Sequence, residues 1–202
     1  MSPIARLSLQ MERVRELGAL ADVGEIARRY FAMNAFDGVL TIIGVLVGSF
    51  TAGITEPRIV LTTGFSTALA MGISGLWGAA LTESAERKRS LRELEQATLC
   101  DLGDTRLARA GRVAVVIVTL ADSLAPVLAS AIVLLPFIFA PAIGAIRTSY
   151  FSAIGVGLAT LFCLGVFLGR ISRENLTISG LKTVSAGLIS ILVGLALNPS
   201  GG

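Results

Sequence analysis

The sequence predicts an all-α integral membrane protein with five transmembrane helices, and three observations lead to this fold class. Of its 202 residues, 53% are hydrophobic and only 15% are charged. The mean hydropathy is +0.78, which lies well above that of a soluble domain of average composition. Five apolar segments also have the roughly 20 residues that a helix needs to cross a hydrocarbon core about 30 Å thick.

The apolar segments set the limits of the predicted helices, because each one ends in a charged or turn-prone stretch. We place the transmembrane spans at about 35–53, 59–81, 113–137, 150–168 and 178–197. Together they form one five-helix transmembrane domain over 34–198.

The N-terminal segment, 1–33, alternates apolar and charged positions with helical spacing, as in Met11 and Val14 against Glu12 and Arg15. This pattern predicts an amphipathic helix at the cytoplasmic surface of the membrane. The segment lacks the apolar h-region of a signal peptide, so we expect no cleaved signal.

A second polar segment, 82–112, separates the second span from the third. It carries acidic and basic side chains at high density, and we interpret it as a solvated, largely helical cytoplasmic loop. Fifteen of the 17 Lys and Arg residues lie in 1–33, in this loop or around the connection between the last two spans. Because cytoplasmic loops carry an excess of Lys and Arg, the N-terminus is predicted inside and the C-terminus outside a cell membrane.

Features missing from the sequence exclude several classes of function. There is no histidine, which removes the commonest metal ligand and the usual general base near neutral pH. Cys100 and Cys163 are far apart, so neither a disulfide framework nor a CxxC metal site is expected. No nucleotide-binding loop, GxSxG elbow or HExxH helix occurs. We therefore predict no enzyme and no cofactor, and we attribute the basic charge to membrane topology rather than to nucleic-acid binding.

Asp122 is the acidic residue that lies deepest in a predicted span. It follows Arg112 by ten residues, which at about 1.5 Å per residue places it roughly 15 Å into the core, near the midplane. Ser123 adjoins it, and Pro126 cannot donate a hydrogen bond to the carbonyl of residue 122. These oxygens are suitable ligands for a hard or borderline cation. The alternative is that Asp122 is a protonated or paired residue of helix packing.

Three further acids are candidate metal ligands. Asp37 opens the first predicted span, where it could instead be an N-cap-like acid at a helix start. Glu83 and Glu86 lie at the cytoplasmic end of the second span with i, i+3 spacing, and thus on one helical face. They could form an acidic entry for cations, or they could be the ion-pair partners of Arg87 and Arg89.

The stretch 34–48, NAFDGVLTIIGVLVG, resembles the first-helix signature of the vacuolar iron transporter family, through Asp37, Gly38, Thr41, Gly44 and Gly48. The second span resembles the second helix of that family through Gly64, Ser74, Gly78 and Thr82, and the end of the third span resembles it through Leu135, Pro136 and Phe137. Two departures stand out, since Gly75 and Ala79 occupy positions where the family usually has a methionine and a glutamate. The polar loop is also shorter than in members with a glutamate-rich metal-binding domain.

The resemblance implies a divergent prokaryotic member of a family of dimers that move ferrous iron or manganese out of the cytosol in exchange for protons. It also implies that the first-helix aspartate, Asp37 here, lies in the pathway. From both lines of reasoning we expect Asp37 and Asp122 to act in one cation pathway and the chain to form a homodimer. A non-transporting membrane scaffold or regulatory protein is the alternative function.

The predicted topology can be tested by labelling a Ser200→Cys variant in which both native cysteines are replaced. An odd number of spans with a cytoplasmic N-terminus requires the new thiol to react with an impermeant maleimide in intact cells. The native Cys100, kept alone in a matched variant, should react only after the membrane is permeabilised. Labelling of residue 200 from the cytoplasmic side alone would refute the topology.

Overall fold

A computed structural model of the chain describes residues 23–139 and 146–197. The regular elements of this part are five helices, α1 (Val23–Thr51), α2 (Pro57–Thr98), α3 (Arg106–Ile138), α4 (Ile146–Ser172) and α5 (Leu176–Leu197). Each of the five is long and apolar enough to cross a membrane. The prediction of an all-helical chain with five helices of spanning length is therefore confirmed.

Local chemistry explains several of the helix ends. Gly53 follows α1 with a φ of 71°, a left-handed conformation that glycine adopts without steric cost. Pro57 opens α2, at the first helical position, where the missing amide hydrogen costs nothing. Thr105 caps α3, because its hydroxyl oxygen accepts a hydrogen bond of 3.3 Å from the amide of Ala108.

The first helix begins earlier than the predicted span. α1 starts at Val23, so the predicted boundary between residues 33 and 34 lies inside one continuous helix. The polar residues of 23–34 include Glu and Arg, which have high helix propensity, and contain no proline. The onset of hydropathy thus marks where the apolar part begins and not where the helix begins. The rest of the predicted amphipathic helix, 1–22, lies outside the described residues.

The second helix extends far beyond its predicted span. With 42 residues, α2 is about 63 Å long, roughly twice the thickness of a hydrocarbon core. The predicted largely helical loop at 82–112 consists of the polar end of α2, a short connection at 99–105 and the first turns of α3. Leu99, with a φ of 55°, ends α2 in the left-handed conformation.

The described residues divide into two compact units. Unit 1 contains 23–31 and 73–123. Unit 2 contains 32–72, 124–139 and 146–197. Helices α1, α2 and α3 each contribute a segment to both units.

Unit 1 is held together by small and β-branched side chains. Val23 packs with Ala110, Ala114 and Val118 of α3 in one buried cluster. The α2 and α3 segments of this unit run antiparallel, because Gly75 lies beside Asp122 at one end and Arg87 lies beside Gly111 at the other. Small residues at such a contact allow the two helix backbones to approach closely.

Unit 2 has the larger apolar core, in which Ile42, Ile43, Leu46, Leu134, Phe137 and Leu161 are among the fully buried side chains. The Tyr150 hydroxyl donates a hydrogen bond of 2.9 Å to the carbonyl of Ile54, and its ring meets that of Phe137 edge to face at 4.9 Å between centroids. The Thr183 hydroxyl of α5 donates to the carbonyl of Leu161 in α4 at 2.7 Å.

Large apolar side chains cover much of the outer surface. On α2, Ile73, Trp77 and Leu81 are 62%, 66% and 66% exposed. On α3, Val116 and Leu120 are also exposed. Exposed apolar surface on this scale is unfavourable in water and is of the kind that lipid-facing helices carry.

Candidate cation site

Asp122 is the buried acid of α3. Its residue surface is only 5% exposed, and its neighbours Thr119 and Ser123 are each 7% exposed. The three residues share one side of the helix, because positions three and four apart face the same way. The Ser123 hydroxyl donates a hydrogen bond of 3.2 Å to the carbonyl of Leu120. A polar patch is thus built into an otherwise apolar helix.

Gly75 of α2 forms the opposite wall of this patch. A Cβ atom at position 75 would lie 2.8 Å from Oδ2 of Asp122 and 3.4 Å from its carbonyl oxygen. The first of these distances is too short for a carbon in contact with an oxygen, so any side chain at position 75 would displace the carboxylate. The missing side chain at position 75 therefore makes room for the carboxylate that α3 supplies.

The carbonyl of Asp122 also differs from most other carbonyls of the helix. Pro126 lies inside α3 and has no amide hydrogen, so it cannot donate the bond that the carbonyl four residues earlier receives in an uninterrupted helix. Both the carboxylate and the carbonyl oxygen of Asp122 lie beside Gly75. Oxygens of these two kinds are typical ligands of hard cations.

Glu83 lies on the Gly75 side of α2, two turns further along the helix. It is 8% exposed and pairs with Arg87, whose Nε lies 2.9 Å from Oε1 of Glu83. The structure thus bears out the alternative for this residue, an ion pair with the arginine one turn away. The positive charge of the arginine makes cation binding at this carboxylate less favourable.

Glu86 is exposed on the polar end of α2. The neighbouring Arg89 donates a hydrogen bond of 2.9 Å to Glu93, and this bond, with the negative charge of Glu93 and then of Glu86, raises the pKa of Arg89 above its ordinary value. Because these side chains are exposed, solvent screens the interaction. For Arg89, the alternative of an ion pair with the Glu83 and Glu86 set is thus not what the structure shows, because Arg89 pairs with Glu93.

Asp37 belongs to unit 2 and lies well inside α1, since the helix begins at Val23. The N-cap alternative for Asp37 is therefore wrong. The residue is exposed, and it shares a helix face with Thr41, Gly44 and Gly48 at i, i+4, i+7 and i+11. Apart from the neighbouring backbone of α1 itself, no described atom lies within 4 Å of the point where a Cβ of Gly44 or Gly48 would be.

A groove of about 390 Å³ lies in unit 1 between the polar end of α2 and the start of α3. Its walls include Arg87, Lys88 and Arg112 as well as Leu94 and Leu107. None of the groove's lining residues is acidic. Three basic side chains repel cations, so this groove is unsuitable as a metal site.

The four predicted metal ligands do not form one cluster. Asp122, Glu83 and Glu86 belong to unit 1, and Asp37 belongs to unit 2. Within 23–139 and 146–197, no group of three or more Cys, Asp or Glu side chains could hold a metal ion. A cation at Asp122 would need other oxygens, from a hydroxyl, a carbonyl or water.

Two residues of the patch were not predicted as site residues. On the resemblance, Gly75 stands where the family has a methionine; the structure adds that Gly75 faces the carboxylate of Asp122. Thr119 lies one helical turn before Asp122 and thus on the same face. That spacing is the signal by which the sequence could have indicated it.

Five apolar helices of spanning length suggest a helical membrane protein of the multi-pass class. No family model matches the chain. The chain is 32% identical over 168 residues to the uncharacterized protein MJ0645 of Methanocaldococcus jannaschii, across 82% of this chain and 85% of the relative. The chain belongs to the family of that protein. The resemblance to vacuolar iron transporters stays a prediction.

Proposed function

We propose that this protein is a multi-pass protein of the cell membrane that transports a divalent metal cation, ferrous iron or manganese, out of the cytosol in exchange for protons. The observation that carries the proposal is the burial of Asp122 in a helix of spanning length. A central aspartate costs roughly 2.5 to 3.5 kcal/mol in a membrane helix. Because of this cost, acidic residues inside membrane helices are rare, and they usually face the interior of the bundle and mark ion pathways.

The chemistry of the patch favours a cation with a preference for oxygen ligands. Asp122 supplies a carboxylate and a carbonyl oxygen on the Gly75 side. Carboxylate, carbonyl and water oxygens suit manganese and magnesium, whereas soft metals prefer sulfur. Protons compete with a metal for the carboxylate oxygens, which supports coupling of metal movement to proton movement.

The exposed apolar surface supports the membrane part of the proposal. Ile73, Trp77 and Leu81 project from the α2 segment that the sequence assigns to a span. The proposed orientation, with the N-terminus in the cytoplasm, rests on the distribution of Lys and Arg. It puts the polar end of α2 in the cytoplasm.

A membrane scaffold or regulatory protein is the second candidate function. The ion pair between Glu83 and Arg87 favours it, because a paired acid is occupied in stabilising the helix. In such a protein Asp122 would serve only to hold α3 against α2 at Gly75. That Asp37 and Asp122 act in one cation pathway remains a prediction from the sequence.

We predict that Asp122→Asn abolishes manganese uptake by proteoliposomes, lowering the initial rate at least about tenfold, while the variant inserts and folds. The substitution keeps the shape of the side chain and removes its negative charge, so the loss reports the interaction with the cation. Uptake is measured with and without a pH gradient. Asp104→Asn, which changes an exposed acid of the connection before α3, serves as the matched control. Equal uptake by both variants and by the unmodified protein would exclude Asp122 from transport and favour the scaffold.

The proposed partner of the chain is a second copy of itself, bound through the α1 face of Asp37, Thr41, Gly44 and Gly48. Small residues four apart allow close helix approach in membranes, and the space beside Gly44 and Gly48 is open.

A Gly44→Cys variant without other cysteines should therefore form a disulfide-linked dimer, because Gly44 lies at the middle of this face and a residue close to a two-fold axis meets its own copy. Leu192→Cys, on the exposed side of α5, should not. The products are read by gel mobility and by mass measurement in detergent. A monomer at every protein concentration would contradict the dimer.

A further inference from the structure

Thr119 has a buried hydroxyl that stands out in α3. The residue is 7% exposed, and among the described residues its Oγ1 is one of two buried side-chain oxygen atoms that have no hydrogen-bond partner. A buried hydroxyl without a partner lowers stability, because it loses its bonds to water and gains none. A valine of nearly the same shape would avoid this cost.

Several other helical threonines of the chain, which are exposed or half-buried, bond to their own helix. Thr67, Thr82 and Thr160 each donate a hydrogen bond of 2.8 Å to the carbonyl four residues earlier. This back-bonding is the ordinary solution for threonine in a helix. The hydroxyl of Thr119 makes no such bond, so its oxygen lone pairs and its hydrogen stay available at a buried position.

The position of Thr119 places this hydroxyl at the polar patch. Thr119 and Asp122 are three residues apart on α3, so their Cβ atoms lie about 5–6 Å apart on one face. On the facing helix α2, Gly75 leaves the space beside the carboxylate and carbonyl oxygens of Asp122 without a side chain. Ala79, one turn along the same face of α2, is also small and buried. Neither residue supplies a polar group to the hydroxyl.

We propose that Thr119 is a ligand that sets the metal preference of the site. In this proposal, Oγ1 of Thr119 binds a divalent cation together with the carboxylate and carbonyl oxygens of Asp122. A hydroxyl, a carboxylate and a carbonyl form an oxygen-only set, which selects manganese-like hard cations over soft ions such as cadmium. The inference rests on the proposed cation transport and extends it to a residue and to a substrate class.

The test compares three substitutions at position 119 in the purified full-length protein. Manganese binding is followed by the electron paramagnetic resonance signal of the unbound ion, and manganese and cadmium uptake are measured in proteoliposomes. Thr119→Val should weaken manganese binding about tenfold, the change that corresponds to a lost interaction of ~1.4 kcal/mol. Thr119→Ser keeps the hydroxyl and should stay close to the unmodified protein. Thr119→Cys replaces oxygen by sulfur and should shift preference toward cadmium.

A matched control removes the second buried hydroxyl without a partner in the described part of the chain. Ser149→Ala in unit 2 should leave manganese binding unchanged. Thermal unfolding separates a ligand role from a packing role, because removing a hydroxyl without a partner should keep or raise the melting temperature of Thr119→Val. Weaker binding in a variant of unchanged or higher stability therefore supports the ligand role.

The outcomes separate the inference from the function on which it rests. If the unmodified protein binds and transports manganese and Thr119→Val does so equally well, the ligand role of Thr119 is wrong while cation transport stands. If Thr119→Val does not fold, the metal preference of Thr119→Cys decides, and an unchanged preference overturns the inference. If the unmodified protein neither binds nor transports manganese, both the inference and the proposed function are wrong.

Discussion

The contact between Gly75 and Asp122 is the constraint on which the candidate site depends. A carboxylate in an apolar helix needs space, and α2 provides it by having no side chain at position 75, where a Cβ would lie 2.8 Å from Oδ2. The same antiparallel pair of segments also meets at Gly111, against which the side chain of Arg87 packs. Small residues at these positions let polar groups occupy the interface without forcing the helices apart.

The packing of α2 against α3 in unit 1 also includes charged residues toward the polar end of α2. Arg87, held against Gly111, forms the ion pair with Glu83, so the buried acid nearest the polar end of α2 is neutralised by a residue of its own helix. Asp122 lies within the apolar part of α3, four residues before Pro126, which removes one backbone hydrogen bond of the helix. Glu83 forms an ion pair with Arg87. Asp122 and Thr119 carry oxygens of the types that bind hard cations.

Much of the fold could be predicted from hydropathy, because a helix that crosses lipid must be apolar for about 20 residues. The C-terminal ends of α1, α3 and α5 lie within a few residues of the ends of the predicted spans. Hydropathy could not show that α1 starts at Val23 or that α2 continues to Thr98, since helices in water may be built entirely of polar residues with high propensity. The mistaken N-cap interpretation of Asp37 followed from this.

The candidate site was predictable only in part for a different reason. An acidic residue inside an apolar segment is visible in the sequence. Asp122 could therefore be predicted as a site residue from the free-energy cost of placing a carboxylate in a membrane helix. The role of Gly75 depends on which residue faces it, and the state of the Thr119 hydroxyl depends on its rotamer and on the small residues opposite. Neither property is encoded in a local pattern. Arg89 likewise has two acids at helical spacing, Glu86 and Glu93, and the sequence does not indicate which one it contacts. In the structure Arg89 pairs with Glu93.

The most direct test of the account is a comparison of manganese binding by Gly75→Ala and Gly78→Ala, measured by paramagnetic resonance on the purified full-length protein. A methyl group at position 75 would displace the Asp122 carboxylate, whereas the space around position 78 is open, and both substitutions have the same effect on helix propensity. The account predicts that Gly75→Ala weakens binding about tenfold or more and that Gly78→Ala binds like the unmodified protein. Equal binding by the two variants would contradict a cation site that depends on the space between Gly75 and Asp122.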